Sequence, residues 1–556
     1  MSLEEFGELF EPADVHVARR LTTMAKETDE SVALAVAIAV RALRGGSVCV
    51  DLRSIADQLE TPDLPWPSPD AWLTAVQASP LVTETPVLRL LGDLLYLDRY
   101  WLEEQQVCDD VLTLLSSTLP GEVPSLERLF PDGWEEQRAA AEIALTQSLT
   151  VLTGGPGTGK TTTVARLLAL LAEQASLSGR PPLRIALAPP PYPSARLLEA
   201  VQLEVDKLDA VDRDRLPALK ASTLHRLLRS RPGNSSRFRH HRENRLPHDV
   251  IVVDETSMVS LTLMARLLEA LRPDSRLLLV GDPDQLASVE AGAVLADMVD
   301  GLGERSDVRI AALQTSHRFG ESIGALASAI RTGDVDDAIE LLRTGGDHIE
   351  WLDSDNLTEP LRQVLLPHAL RLREASVLGD VKAALATLDE HRLLCAHRRG
   401  PYGVRFWNHQ VERWLTDATG EPLWTQWYAG RPVLVTANDY GLGLYNGDTG
   451  VTVVRGDGLR AVVAAGNEPL EFATGRLADV ETMHAMTIHK SQGSQADEVT
   501  VLMPPEDSRL LTRELFYTAV TRAKKKVRVI GSEDSVRAAV QRRAVRASGL
   551  AQRLHA

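Results

Sequence analysis

Cysteine is scarce. Cys49, Cys108 and Cys395 are the only three in 556 residues, and they lie far apart with no CxxC pair or Cys/His cluster. Neither a disulfide framework nor a structural zinc site can be built from them, so buried free thiols are expected. A long apolar run is also missing, since the best candidate, residues 32–40, is cut short by Arg41. The opening MSLEEFGELF is acidic where a secretory signal would be basic. Neither a membrane span nor a signal peptide is expected, and the reading is a cytoplasmic protein. Internal repeats and long low-complexity segments are absent too. What remains is ordinary for globular protein, 44% hydrophobic and 25% charged, and the length implies three or four packed units.

Positive charge is in deficit, with a net −17, and by itself that argues against gripping a phosphate backbone. The distribution of charge argues the other way. Residues 1–120 hold 20 Asp and Glu against 8 Lys and Arg, a local −12 that leaves only −5 for the rest of the chain. Residues 221–245 carry seven arginines and one Glu, and residues 521–556 carry ten basic residues against two acidic ones. Basic patches are therefore available downstream of an acidic N-terminal region.

Helical patterns over 32–43 and 71–78 alternate with Pro-rich breaks, and residues 90–112 read as a strand leading into a helix. Past a break at LPGEVPS, short apolar runs at 149–153, 184–188, 250–253 and 277–280 are separated by helical patterns. Strands alternating with helices indicate an α/β fold with parallel sheets. The alternation resumes near Leu393, interrupted over about 431–480 by β-like runs and the turn signals NDYGLG, NGDTG and RGDG, which resemble a small inserted barrel.

The strongest chemical signal is SLTVLTGGPGTGKTTTVARLLALL. Gly154, Gly159, Lys160 and Thr161 satisfy GxxxxGK[ST] between an apolar strand and an amphipathic helix, the context a phosphate loop requires. Gly154, Gly155, Pro156, Gly157, Thr158, Gly159, Lys160, Thr161 and Thr162 would cradle ATP phosphates on backbone N–H groups and a helix N-terminus. Lys160 would neutralise the β/γ charge and the Thr161 hydroxyl would ligate Mg²⁺. In DVIVVDETSMV an apolar strand ends in Asp254, a second Mg²⁺ ligand, and Glu255, the group to polarise an attacking water. A third strand, RLLLVGDPDQLASV, sets Gln285 where its amide could sense the γ-phosphate.

Together these pieces resemble the motifs of superfamily 1 helicases. The resemblance implies that Gln137 reads adenine, that Arg318 in LQTSHRFG and Arg522 in LFYTAVTRAKKKV are arginine fingers, and that Gln492 and Gly493 couple to nucleotide. In AMTIHKSQGSQADEV it implies DNA-backbone contacts from Thr487, His489 and Lys490. If ATP lies between two α/β units, fingers from the second complete the site only when the cleft shuts, which links hydrolysis to motion. Each such finger contributes roughly 10³–10⁵ in rate.

LDRYWLEEQ, TLHRLL and GRPVLVTANDYGLGLYNGDTG narrow the likeness to the RecD family, α subunits of RecBCD (exonuclease V) complexes. It implies a 5′→3′ translocase on single-stranded DNA with two RecA-like P-loop motor domains, a mainly helical N-terminal domain and a small SH3-like β insertion in the second motor domain. The implied bounds are 1–115 for a partner-docking domain, 116–310 for the first motor domain with a 1B insertion near 200–247, and 311–556 for the second with its 2B insertion near 431–480. Thr223, His225 and Asn438 become candidate DNA contacts. RecB-like and RecC-like subunits become the expected partners, with the acidic N-terminal module suited to docking protein rather than DNA. No segment resembles the carboxylates and lysine of a nuclease, so cutting is assigned to another subunit. A stand-alone RecD-like helicase and a nucleotide-binding structural subunit with a weakened motor are the competing readings.

One stretch departs from the family pattern. In ALAPPPYPSARL the Thr and Lys expected to grip a DNA phosphate are replaced by prolines. Tyr192 is expected to substitute in part by stacking on a base, with Arg196 supplying charge.

Overall fold

The computed structural model describes residues 3–555 apart from 85, 118–122, 191–193, 232–233, 316–320, 355–356, 424, 440, 457 and 465–467, with the side chains of 194–196, 231, 234–236 and 321 also outside the description. Three strands, β1 (Cys49–Asp51), β2 (Leu88–Leu91) and β3 (Leu94–Leu97), form an antiparallel sheet in the order β1-β3-β2. Helices surround it, and Glu30–Arg44 buries eight consecutive residues from Val32 to Ala39. The stretch expected to be one strand entering a helix is instead the β2–β3 hairpin followed by the helix Asp98–Leu115. A two-residue Gly92-Asp93 loop makes the difference, because Gly92 at φ +58° turns the chain back at once.

The first parallel sheet contains β4 (Leu149–Gly154), β5 (Ile185–Leu187), β8 (Val250–Val253), β9 (Arg276–Gly281) and β10 (Ala311–Leu313) in the order β10-β4-β9-β8-β5. Between β5 and β8 a short hairpin pairs β6 (Ser230–Arg231) with β7 (Asn234–Phe238). All four residues of β8 are buried, and each such Val or Ile contributes about 1.5–3 kcal/mol relative to exposure. β5 is the edge strand, where prolines forfeit few ladder bonds. Beyond it the Pro189 carbonyl accepts the Leu224 N–H at 3.0 Å.

The second parallel sheet runs β11-β20-β19-β12-β18, built from β11 (Ile349–Leu352), β12 (His391–Cys395), β18 (Ala485–Thr487), β19 (Ala496–Leu502) and β20 (Ala523–Ile530). Between β12 and β18 lie β13 (Pro432–Val435), β14 (Thr449–Arg455), β15 (Gly458–Ala464), β16 (Leu470–Ala473) and β17 (Val480–Thr482). They pair antiparallel in the order β16-β15-β14-β13-β17, so the described pairing is a five-stranded sheet rather than a closed ring. All three cysteines are buried and free. Among the described residues no helix is long and apolar enough to cross a membrane.

The last helix, Leu550–His555, lies away from the second sheet. It packs on Val294–Gly303, which follows β9, and on Asp98–Leu115 of the N-terminal region, with Leu550 and Leu554 fully buried.

Candidate nucleotide site and nucleic-acid face

β4 ends between β9 and β10, where its loop opens at the carboxyl edge of the sheet, the usual ligand position in such folds. Gly157 (φ +85°) and Gly159 (φ +83°) occupy left-handed conformations that bend the loop into the helix Lys160–Leu177. A Cβ on Gly154 would come within 2.6 Å of the Thr158 hydroxyl oxygen and 2.8 Å of the Leu313 carbonyl oxygen, so only glycine fits. Lys160 Nζ donates to the Gly154 and Gly155 carbonyls at 2.6 and 2.8 Å. Thr158 is buried and donates to the Gly155 carbonyl, while Thr161 and Thr162 are half-buried at the helix start.

Asp254 and Glu255 follow β8 directly. The Asp254 carboxyl group is enclosed by protein although the residue as a whole keeps some exposure. That enclosure and the Glu255 charge push its pKa up, with Lys160 opposing. The carboxylate accepts the Glu255 N–H at 2.9 Å. Glu255 has φ +51°, a strained conformation for a non-glycine residue of the kind found at functional sites. An enclosed carboxylate beside a second carboxylate fits a divalent cation. Gln137 is buried in the helix Glu135–Thr146.

Both sheets contribute to the next layer. Gln285, 4% exposed, donates through Nε2 to Asp282 Oδ2 at 3.0 Å and accepts from Arg522 Nη2 at 3.0 Å. Arg522 also donates Nε to the Thr518 carbonyl at 3.0 Å and Nη2 to the Thr521 hydroxyl at 3.3 Å. Tyr517 donates its hydroxyl to Asp282 Oδ2 at 3.0 Å, and burial with that carboxylate holds the phenol protonated. Leu286 N–H donates to the Thr518 hydroxyl at 2.9 Å, and Gln492 Nε2 donates to the Leu286 carbonyl at 2.7 Å. Gly493 follows at φ +71°. A cleft of about 230 Å³ opens here, lined by Gly155, Thr158, Asp284, Arg331 and Tyr517. Asp284 is pushed up to about 6 by burial and by Asp282, against Arg331 and Arg543. Arg318 lies outside the described residues.

On the neighbouring face, Thr223 is buried and caps Leu224–Leu228 by accepting the Arg226 N–H at 3.4 Å. His225 is exposed, its ring edge-on to Phe238 at 5.7 Å. Thr487 is buried and caps Ile488–Ser491. Lys490 Nζ pairs with Glu481 at 2.7 Å. His489 is half-buried, and burial with the charges of Arg546 and Arg398 pushes its pKa down, favouring the neutral ring. A cleft of about 350 Å³ beside it is lined by Arg398, Arg405, Asn408, Glu481, Thr487 and Lys490. Asn438 is exposed and its side-chain oxygen accepts the Asn446 N–H at 2.9 Å. Arg226 reaches across to the Tyr445 hydroxyl at 3.2 Å, tying the first unit to the β13–β14 loop. Tyr192 and the side chain of Arg196 lie outside the described residues.

Sequence reasoning gave no role to Asp282, Arg331, Tyr445, Arg398 or Arg405. Asp282 and Tyr445 sit inside stretches already singled out, so position could have flagged them. Arg331 in SAIRTG carries no local signal, and only the fold brings it to the cleft.

Comparison with known proteins identifies the family. Residues 7–96 match the RecBCD enzyme subunit RecD N-terminal domain, residues 134–354 an AAA domain and residues 482–530 a UvrD-like helicase C-terminal domain. The RecBCD enzyme subunit RecD of Mycolicibacterium smegmatis is 73% identical over 553 residues, covering 99% of each chain. That of Haemophilus influenzae is 32% identical over 87% of this chain and 84% of its own. The ATP-dependent RecD2 DNA helicase of Deinococcus radiodurans is 30% identical over 83% of this chain and 59% of its own. Among solved structures, a Bacteroides Pif1 helicase in complex with ADP-AlF3 and ssDNA aligns at TM-score 0.41 and 16% identity, over 71% of this chain and 91% of that one. The chain belongs to the RecD subunit family of the RecBCD enzyme.

Proposed function

We propose that the chain is an ATP-dependent 5′→3′ single-stranded DNA translocase and helicase. It acts in the cytoplasm as the RecD subunit of a RecBCD-type helicase–nuclease, with RecB-like and RecC-like partners, at duplex ends in double-strand break repair by homologous recombination and in DNA degradation. The nuclease activity of the complex belongs to another subunit. The proposed units are 1–115 for partner docking, 116–310 for the first motor and 311–556 for the second.

The observation that carries this reading is the buried bond between Gln285 of the first unit and Arg522 of the second. It supports a cleft shared by two units, in which the first holds phosphate and the second delivers positive charge. Lys160 would exchange its two loop carbonyls for phosphate oxygens, and Glu255 would orient the attacking water. Thr161 and Asp254 would hold Mg²⁺, which would supply charge neutralisation at the phosphates. Gln137 would read adenine, with Gln492 and Gly493 linking nucleotide state to the DNA face. Thr223, His225, Asn438, Thr487, His489 and Lys490 would contact the strand, with Tyr192 and Arg196 assisting. Arg318 would be the companion finger.

The test is ATP turnover of the assembled complex with and without single-stranded DNA. Strong stimulation that disappears in Lys160→Ala is expected, whereas turnover indifferent to DNA would leave a nucleotide-binding structural subunit.

A further inference from the structure

The chain passes between the two motor units twice, once forward and once back. The forward crossing joins Leu313, at the end of β10, to the helix Glu321–Thr332, eight positions on and a reach of at most about 29 Å. The return crossing is far shorter. After the helix Glu533–Gln541 the chain is still held on the second unit at Arg542 and Ala544. Arg542 Nη1 donates to the Ser508 carbonyl at 2.8 Å, and the Arg542 carbonyl accepts the Arg513 N–H at 2.8 Å. Ala544 N–H donates to Glu514 Oε2 at 2.8 Å. Only two positions later, Arg546 Nη1 donates to the Ser288 and Glu290 carbonyls of the first unit. From Ala544 to Ala547 is three steps, at most about 11 Å of chain.

The anchor on the other side is deep. Ala547 N–H donates to the Ser47 hydroxyl at 3.1 Å, and the Ala547 carbonyl accepts the Val48 and Cys49 N–H groups at 2.8 and 3.3 Å. Fully buried Glu104 accepts from the Tyr96 hydroxyl, the Ser548 hydroxyl, the Gly549 N–H and Arg553 Nε at 3.0, 3.0, 3.2 and 2.9 Å. A Cβ on Gly549 would stand 2.2 Å from the Tyr96 hydroxyl oxygen, so glycine alone fits. Such a carboxylate resists being pulled from its donors, because each lost bond leaves a desolvated charge.

Between these anchors the crossing has room. A cavity of about 130 Å³ is bounded by Gln285, Leu286 and Ala296 of the first unit, Glu514 of the second, and Ala544 and Arg546. Val545, at the middle, is 64% exposed, so its side chain fixes the segment to neither unit. Two units joined by one short and one long crossing cannot part at the short one without breaking its anchors, whereas the space beside it permits them to turn there.

We propose that residues 544–547 are a strap at the pivot of the motor cleft: the return crossing limits how far the second unit swings from the first, so the cleft opens by rotation about this point rather than by separation. This rests on the two-motor reading above.

The experiment lengthens the strap and leaves its anchors in place. In the assembled complex, a six-residue Gly-Ser insert after Val545 adds up to about 20 Å of reach. A second version carries a protease site within the insert and is cut after assembly. A dye pair at the exposed positions Glu142 and Lys382, one on each unit, reports separation by energy transfer with and without a non-hydrolysable ATP analogue. Without nucleotide, the insert is expected to add a population longer by about 5–20 Å, and the cut to add the same population. With the analogue, all three forms should give the distance of the unchanged protein, because closing does not stretch the strap. Identical nucleotide-free distances in all three forms overturn the strap. Loss of the analogue-bound distance in the cut form also overturns it, since residues 544–547 would then be part of the closed structure and not a limit on opening. A distance indifferent to the analogue in the unchanged complex overturns the two-motor reading instead, which separates the two failures.

Discussion

Removing the Gln285 side chain tests how the two motor units communicate. Arg522 is 4% exposed and donates to three acceptors, of which Gln285 Oε1 at 3.0 Å is the one from the first unit. A hydrogen bond to a charged group contributes about 1.5–3 kcal/mol. In Gln285→Ala the guanidinium keeps its two local acceptors, on Thr518 and Thr521, and loses its registration against the phosphate side. If that registration places the finger, kcat for DNA-stimulated ATP hydrolysis should fall by the equivalent factor, about 10–150-fold, with nucleotide Kd little changed. Gln285→Ala combined with Arg522→Ala should be no slower than Arg522→Ala alone, because groups acting as one unit are not additive. The assay is steady-state ATPase with saturating single-stranded DNA, plus nucleotide titration by fluorescence. Effects that multiply in the double variant would show that the two side chains act independently. A faster Gln285→Ala enzyme would show that the bond restrains the finger, and would refute the positioning argument.

Other expectations follow from single sites. Lys160→Ala should abolish measurable ATP turnover, since it removes the ammonium that donates to the Gly154 and Gly155 carbonyls, and direct nucleotide binding should show the loss. His484 shares a 2.9 Å hydrogen bond with the Tyr428 hydroxyl, and burial, then His368 and Arg431, hold it down to about 3. The unfolded chain therefore binds one more proton between pH 3 and 6.5, so this contribution is complete above pH 6.5 and falls as pH drops, by about 1–2 kcal/mol at pH 5. Urea unfolding of the chain and of His484→Gln at pH 7 and 5 should show a smaller pH response in the variant; equal responses would contradict the assignment. A Cβ at Gly301 would stand 2.6 Å from the Ala551 carbonyl. Gly301→Val should therefore dislodge the final helix at a cost of about 1–3 kcal/mol, seen as early proteolytic loss of the C-terminal tail.

Much of the motor was legible because its chemistry is local. A phosphate loop needs glycine at positions of left-handed φ, a lysine and a hydroxyl at fixed spacing between a strand and a helix, and Gly157, Gly159, Lys160 and Thr161 fulfil this within a few residues. Apolar runs bounded by helical patterns likewise marked β4, β8 and β9 almost to the residue, since strands buried on both faces read as continuous hydrophobic stretches.

Tertiary structure alone decided what is joined across the chain. That Gln285 meets Arg522, 237 positions apart, depends on how two sheets face each other, which no local pattern encodes. The return of residues 542–555 to Glu104, Val48 and the 288–290 loop was invisible for the same reason: a basic tail reads as a solvated face until its partners are known. The β2–β3 hairpin was missed through a single Gly92 whose positive φ is a conformational choice rather than a composition. Local sequence specified the candidate phosphate loop, because covalent spacing places its residues, while packing free energy chose which distant pieces stand beside it.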